Sequence, residues 1–141
     1  MQIAKSLSAI AALEKGRSVS EKNLIAVVDD DESFRTALVD ALSSLGYGAR
    51  GFSSAEQFVS DGGEEPYDCV ITDIQMPGLS GFDLKKSLVE RNSKVPVIMI
   101  TAHAGPGLEA TAKAGGAVCL LRKPFDTSAL TACLEKAIQA R

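Results

Sequence analysis

The chain has 141 residues, with 15 basic and 18 acidic side chains and 45% hydrophobic residues. This length predicts one compact domain, and the ordinary apolar content excludes an intrinsically disordered chain. The formal net charge of −3 argues against nucleic acid or an anionic membrane as the main partner, because both attract basic surfaces.

The first 23 residues differ from the rest in charge. They carry four basic and two acidic side chains, whereas the remainder carries 11 basic and 16 acidic side chains. Ile3, Leu7 and Ile10 form a helical apolar stripe, and residues 16–21 have the composition of a linker. We predict a helical extension over residues 1–23, outside a domain over residues 24–141, with a frayed tail as the alternative.

Four short, continuous apolar runs follow, and each ends abruptly in polar residues. They cover residues 24–28, 67–72, 95–100 and 117–121. Continuous runs of this length indicate strands that are buried on both faces, as in a parallel sheet. A weaker run over residues 48–52 predicts an edge strand.

Helical patterns alternate with these runs. Apolar residues at helical spacing mark five segments, namely Phe34–Leu45, Ala55–Val59, Phe82–Val89, Leu108–Ala114 and Leu130–Ile138. Ser54 and Asp126 stand where N-caps are expected, and Gly46 and Gly115 stand where helices should end. Five strands alternating with five helices predict an α/β fold with a doubly wound, five-stranded parallel sheet.

Polar residues stand at the ends of the apolar runs. Asp29 and Asp30 follow the first run, Asp73 follows the second, and Thr101 and Lys123 follow the last two. Ligands of doubly wound sheets bind at the carboxyl ends of the strands, near the point where the strand order reverses. We therefore expect three carboxylates, one hydroxyl and one ammonium group to converge on one cleft.

The charges of this cluster predict phosphoryl transfer. Three carboxylates repel one another, and Mg²⁺ is the hard cation that takes carboxylate, water and phosphate oxygens. Lys123 and Thr101 would then hold an incoming anion, and Asp73 would be the nucleophile that forms an aspartyl phosphate. Each residue taken singly has an ordinary alternative, such as a helix cap for Asp29–Asp31, and it is their joint placement that favours the functional interpretation.

The same residues resemble the receiver domain of two-component response regulators. The matching motifs are VVDDDE at residues 27–32, DIQMPGLSG at 73–81, ITA at 100–102, KAG at 113–115 and KPF at 123–125. They keep the family's order from residue 24 to the end of the chain. The resemblance implies a flavodoxin-like fold with sheet order 2-1-3-4-5.

The resemblance also implies the roles of the acidic residues. Asp73 corresponds to the phosphoacceptor. Asp30, Asp73 and the main-chain carbonyl of Gln75 correspond to direct Mg²⁺ ligands, and Asp29 to a ligand through water. Pro124 follows the lysine at a peptide bond that is cis in many receivers.

The readout of the modification is implied in the same way. Thr101 and Lys123 correspond to the residues that contact the phosphoryl group. Leu120 stands where many receivers carry a Tyr or Phe whose ring swings inward, so this chain departs from the family's switch. Switching and the tuning of hydrolysis are expected at four positions, namely Gln75, Ala102, His103 and Leu120.

The implied function is phosphorylation-dependent signalling. The donor would be a sensor histidine kinase or a phosphotransfer protein, and the downstream partner would be a separate protein or an output domain of a longer regulator. A phosphorylation-dependent dimer is one way for the binding surface to change. We expect no partner among nucleic acids or membranes for this chain, since its body is acidic and lacks a basic recognition helix.

Two other functions remain as alternatives. A phosphatase of the haloacid-dehalogenase type also forms an aspartyl phosphate, but it needs a second Asp two residues further on, where Gln75 stands. A degenerate receiver would act as an interaction module without being phosphorylated.

Cysteine usage and hydropathy predict the compartment. Cys69, Cys119 and Cys133 are odd in number and form no CxxC pair, which favours reduced thiols in a cytoplasmic protein. No apolar run approaches the ~18 residues of a membrane-spanning helix.

Overall fold

The computed structural model describes residues 23–103 and 105–139, and within them five strands form one sheet. The strands are β1 (Leu24–Val28), β2 (Gly48–Phe52), β3 (Cys69–Asp73), β4 (Val97–Thr101) and β5 (Cys119–Arg122). All neighbouring strands are parallel, in the order β2-β1-β3-β4-β5. The predicted sheet and its order are confirmed, with the weak run as edge strand β2. The predicted N-terminal extension lies outside the described residues.

Five helices connect the strands. They are α1 (Glu32–Ser44), α2 (Ala55–Ser60), α3 (Gly81–Glu90), α4 (Leu108–Ala114) and α5 (Thr127–Gln139). Asp31, Ser54 and Ser80 cap the first three helices by accepting backbone N–H bonds. Asp126 accepts the N–H bond of Ala129 at 2.8 Å, so the predicted N-cap of α5 is confirmed.

The helices cover both faces of the sheet. Ala26 and Val28 of β1 belong to a buried cluster that includes side chains of α2, α3 and α4. Ile25 and Val27 point the other way, into a second cluster with side chains of α1 and α5. The two clusters bury both faces of the inner strands, which explains why the strands read as continuous apolar runs.

Three strands begin two residues later than their apolar runs. The N–H of Tyr67 donates to Glu64 in a turn, and that of Ala117 donates to Ala112 at the end of α4. Pro96 has no N–H to give to the ladder. These lead-in residues are buried without extending the strands.

Val89, one of the apolar residues that mark α3, is 55% exposed.

All three predicted thiols, including the buried Cys69 of β3, lie on the α1/α5 face. Cys133 on α5 is buried, and Cys119 on β5 packs partly against the same cluster. Burial, together with a hydrogen bond involving Cys119, raises the pKa of the Cys133 thiol to about 12. A thiol with so high a pKa stays protonated near neutral pH and is a poor nucleophile.

Candidate functional site

The parallel sheet brings four chain segments to one edge. Asp29 follows β1, Asp73 ends β3, Thr101 ends β4 and Lys123 follows β5. The order of the strands reverses between β1 and β3, which is where doubly wound folds bind ligands. The expected convergence on the carboxyl edge is therefore built into the fold.

Three carboxylates form an acidic cluster at this edge, made of Asp29, Asp30 and Asp73. Each offers an oxygen, and these oxygens lie within 4.8 Å of one another. Asp29 and Asp73 are buried, whereas Asp30 is exposed. Carboxylates so close together repel one another unless a cation lies between or beside them.

One oxygen of each buried carboxylate accepts a hydrogen bond from the loop that follows it. Asp29 Oδ1 accepts the N–H bond of Asp31 at 2.9 Å, and Asp73 Oδ1 accepts that of Gln75 at 3.0 Å. The loop after β3 also approaches Asp73 closely: a Cβ on Gly81 would lie 2.5 Å from the Asp73 carbonyl oxygen. The motif glycine is needed there because any larger residue would displace the loop that orients Asp73.

The ammonium of Lys123 lies against the second oxygen of each buried carboxylate. Its Nζ is 2.8 Å from Asp29 Oδ2 and 3.1 Å from Asp73 Oδ2. The Lys123 N–H donates to the Thr101 carbonyl at 2.8 Å, and the bond between Lys123 and Pro124 is cis. The lysine thus pairs with two of the three carboxylates.

Burial and pairing shift the pKa values of this pair. Burial raises the pKa of Asp73, with a further contribution from the charge of Asp29, and the Gln75 N–H and Lys123 only partly offset this. Burial alone would lower the pKa of Lys123, but its contacts with Asp29 and Asp73 outweigh that effect and raise the pKa. Lys123 therefore stays charged at neutral pH, while ionised Asp73 is disfavoured relative to an exposed aspartate.

The donor set fits a hard divalent cation. Asp29 Oδ2 is buried and makes no hydrogen bond with the described residues, although it lies beside the lysine charge. Three carboxylates and Lys123 still leave a net charge of −2 by formal count. Oxygen donors with excess negative charge are what Mg²⁺ takes, usually together with water.

Thr101 is buried, but its hydroxyl is turned to its own loop. Its Oγ1 accepts the N–H bond of His103 at 3.1 Å and donates to the His103 carbonyl at 3.2 Å. The hydroxyl must give up these bonds to reach an anion at the acidic cluster.

The other expected tuning residues lie around this loop. Ala102, His103 and Gln75 are exposed. His103 and Leu120 line a pocket of about 250 Å³ together with Leu108, Glu109 and neighbouring residues. Leu120 also packs partly against the core on the α2–α4 side of the sheet.

Two residues of α1 that the sequence pattern did not single out as functional also belong to the site. Arg35 donates to the Asp29 carbonyl at 2.7 Å. The Lys123 ammonium lies over the face of the Phe34 ring, with Nζ 4.1 Å from the ring centroid. The sequence pattern predicts Phe34 only as part of the apolar stripe of α1. The available signal was the cap at Asp31, because a cap directs the first helical turn back towards the preceding strand end.

Comparison with known proteins agrees with these features. The sequence matches the family profile of the response regulator receiver domain over residues 25–135. It is 36% identical over 121 residues to the transcriptional regulatory protein FixJ of Bradyrhizobium diazoefficiens, which covers 86% of this chain and 59% of FixJ. It is 32% identical to the response regulator protein TmoT of Ectopseudomonas mendocina, over 84% of this chain and 54% of TmoT. The chain spans little more than half the length of these relatives.

Solved structures show the same fold. FixJ-N matches with a TM-score of 0.78 at 28% identity, over 86% of this chain and 97% of that one. A response regulator receiver protein from Burkholderia phymatum matches with a TM-score of 0.72 at 39% identity, over 83% and 97%. No helix in the described part of the chain is long and apolar enough to cross a membrane. Sheet order, motif order and family match together establish that this chain belongs to the response regulator receiver domains, the signalling domains of two-component systems.

Proposed function

We propose that Asp73 accepts a phosphoryl group from a phosphohistidine of a sensor histidine kinase or a phosphotransfer protein. The observation that carries this assignment is the pairing of the buried Asp73 carboxylate with Lys123 at 3.1 Å beside two further carboxylates. In the proposed step, a carboxylate oxygen of Asp73 bonds to phosphorus. The bond from phosphorus to the donor's imidazole nitrogen breaks, and that nitrogen keeps the electron pair.

Lys123 changes partner during this reaction. Its ammonium first balances the charge of Asp73, which favours the ionised carboxylate that must attack. Once phosphorus is bound, the same ammonium lies near the new anionic oxygens and can pair with them. Thr101 is proposed to donate its hydroxyl to one of these oxygens after leaving His103, as its position at the end of β4 allows.

Asp29, Asp30 and Asp73 are proposed to hold Mg²⁺, with the main-chain carbonyl of Gln75 and water. When bound, the ion neutralises the charge that gathers on the phosphoryl oxygens during transfer. The residues of the chain orient the acceptor: the Gln75 N–H fixes one oxygen of Asp73, and Lys123 contacts the other. Positioning and charge neutralisation are the main needs of phosphoryl transfer.

The modified site would act on partners through the loop after β4. Thr101 and His103 are joined by two hydrogen bonds, so departure of the Thr101 hydroxyl would release this loop. The surface around α4 and β5 would change as a result, and a downstream protein, an output domain or a second copy of the chain would read the change.

A labelling experiment tests the acceptor. With Mg²⁺, acetyl phosphate should add one phosphoryl group to the wild-type chain, as read by intact mass. Asp73→Ala should gain none, because the attacking carboxylate is gone. Asp40→Asn, which changes an exposed aspartate on α1, is the matched control and should be labelled normally.

Three outcomes would contradict the proposal. Full labelling of the Asp73→Ala chain would move the acceptor elsewhere. A folded wild-type chain that takes up no phosphoryl group would favour a degenerate receiver that acts as an interaction module. Labelling that is equally fast in EDTA would remove the metal from the reaction.

A further inference from the structure

The Lys123 ammonium has an aromatic neighbour as well as two carboxylates. Its Nζ lies 4.1 Å from the centroid of the Phe34 ring, within the range of a cation–π interaction. The same nitrogen is 2.8 Å from Asp29 and 3.1 Å from Asp73. We propose that Phe34 is a positioning residue that holds the Lys123 ammonium at the phosphoryl-accepting end of the site.

The Phe34 ring is itself fixed by its surroundings. Its ring centroid is 5.8 Å from that of Phe125, with the ring planes at 77°, an edge-to-face contact. Its helix begins at the cap made by Asp31, whose side chain accepts the N–H bond of Phe34 at 3.1 Å. The start of α1 therefore sets the position of the ring independently of the lysine, and Phe125 adds one edge contact.

A fixed ring matters because the carboxylate partners of Lys123 change during the reaction. Phosphorylation converts the Asp73 carboxylate that the ammonium contacts into an acyl phosphate, and a metal ion competes for Asp29. The ring is a partner that neither event removes. Lysine is a flexible chain with a strongly hydrated head, so without the ring its ammonium would spend more time in water and less at the site.

This inference rests on the proposed phosphorylation of Asp73, but its first readout does not depend on phosphorylation. Protons that lie over the face of an aromatic ring resonate upfield. The ε-methylene protons of Lys123 should be shifted upfield in the unphosphorylated chain. This shift should vanish in Phe34→Leu and remain in Phe34→Tyr, which keeps a ring.

The second readout is the rate of labelling by acetyl phosphate at saturating Mg²⁺. Phe34→Leu should lower the rate roughly two- to tenfold, the effect of losing one cation–π contact at a partly buried ammonium. Phe34→Tyr should restore it. The Mg²⁺ affinity should be the same in all three chains, because Phe34 contributes no metal ligand.

Phe125→Leu is the matched control for packing. It removes the edge contact to Phe34 but leaves a ring beside Lys123. It should therefore keep both the upfield shift and most of the labelling rate. Urea unfolding of each variant reports any loss of stability separately.

The outcomes separate the two proposals. An unchanged Lys123 shift or an unchanged rate in Phe34→Leu overturns the role of Phe34, as does an equal loss of rate in Phe125→Leu. If the wild-type chain is not labelled at all, the proposed function fails, and the inferred role in phosphorylation fails with it. The upfield shift then still shows whether Phe34 holds the ammonium.

Discussion

Burial opposes the negative charge of Asp73 before any metal or phosphoryl group arrives. Its pKa is raised mainly by desolvation, with a further contribution from Asp29. In the metal-free chain, ionised Asp73 therefore lowers the free energy of unfolding, although Lys123 offsets part of the effect. We therefore expect the metal-free chain to have a lower free energy of unfolding than a chain with neutral groups at this site. Binding of a cation should offset this difference.

We predict that Asp73→Asn stabilises the metal-free chain at pH 7. The folded chain holds the Asp73 proton more tightly than the unfolded chain, so wild-type stability falls as the pH rises from the unfolded pKa through the raised folded pKa. Each unit by which the pKa is raised corresponds to about 1.4 kcal/mol. Asp73→Asn does not lose stability in this way. The difference in free energy of unfolding between the variant and wild type should therefore grow between the two pKa values and stay constant at higher pH.

Urea unfolding in EDTA at a series of pH values between 3 and 8 measures this difference. Asp40→Asn, at an exposed position on the same domain, should show no comparable advantage. A variant that is less stable than wild type at pH 7 would mean that the pairing with Lys123 outweighs burial. In that case the expectation that the pKa of Asp73 is raised would be wrong.

The residues at the strand ends could be predicted from the sequence, whereas the contacts of their helical neighbours could not. Asp29, Asp73 and Lys123 each follow an apolar run, and parallel strands bring such residues together. Phe34 and Arg35 belong to a helix, where periodicity tells which face is buried but not what lies opposite the first turn. Their contacts depend on the angle at which α1 leaves β1.

At the scale of elements, the loop between β4 and α4 connects the acidic edge to the surface. Thr101 at the end of β4 is tied to His103 by two hydrogen bonds. Leu120 on β5 lines the neighbouring pocket of about 250 Å³. Many receivers have an aromatic ring at that position, whereas leucine has no polar tip with which to exchange one hydrogen bond for another. The signal is therefore expected to depend on Thr101 more than on Leu120.

We predict that Thr101→Ala weakens the phosphorylation-dependent shift of backbone amide signals over residues 101–125, because no hydroxyl remains to leave His103 for the phosphoryl group. Thr101→Ser keeps the hydroxyl and should preserve the shift. Leu120→Ala should lower stability more than it lowers the shift. NMR spectra before and after labelling with acetyl phosphate give the comparison. If Leu120→Ala abolishes the shift while stability is unchanged, Leu120 is the switch.

The boundaries of elements were less predictable than their existence. The runs that lead into β3 and β4 include Tyr67 and Pro96, which are apolar and buried but lie outside the strands. Hydropathy reports burial, whereas a strand also requires hydrogen bonds to its neighbour. The sheet order followed from the resemblance, because alternation of strands and helices alone allows more than one order.

At the scale of the whole molecule, the two buried clusters and the site all lie within residues 24–138. One residue before β1 also takes part: the carbonyl of Asn23 accepts the N–H bond of Gly48 at 2.8 Å. The predicted boundary after residue 23 therefore cuts one backbone hydrogen bond to β2. We propose that the receiver domain begins at Asn23.

We predict that removing residues 1–22 leaves the domain folded and active. The buried clusters of the described residues already cover both faces of the sheet, so we expect the free energy of unfolding to change by no more than about 0.5 kcal/mol, the usual effect of changes outside a packed core. The rate of labelling by acetyl phosphate should be unchanged, since no proposed site residue precedes Asp29. Leu134→Ala, which empties a fully buried position on α5, should cost about 2–5 kcal/mol and calibrates the assay. A loss of comparable size on removing residues 1–22 would show that the N-terminal segment is part of the core, and slower labelling at equal stability would give it a role at the site.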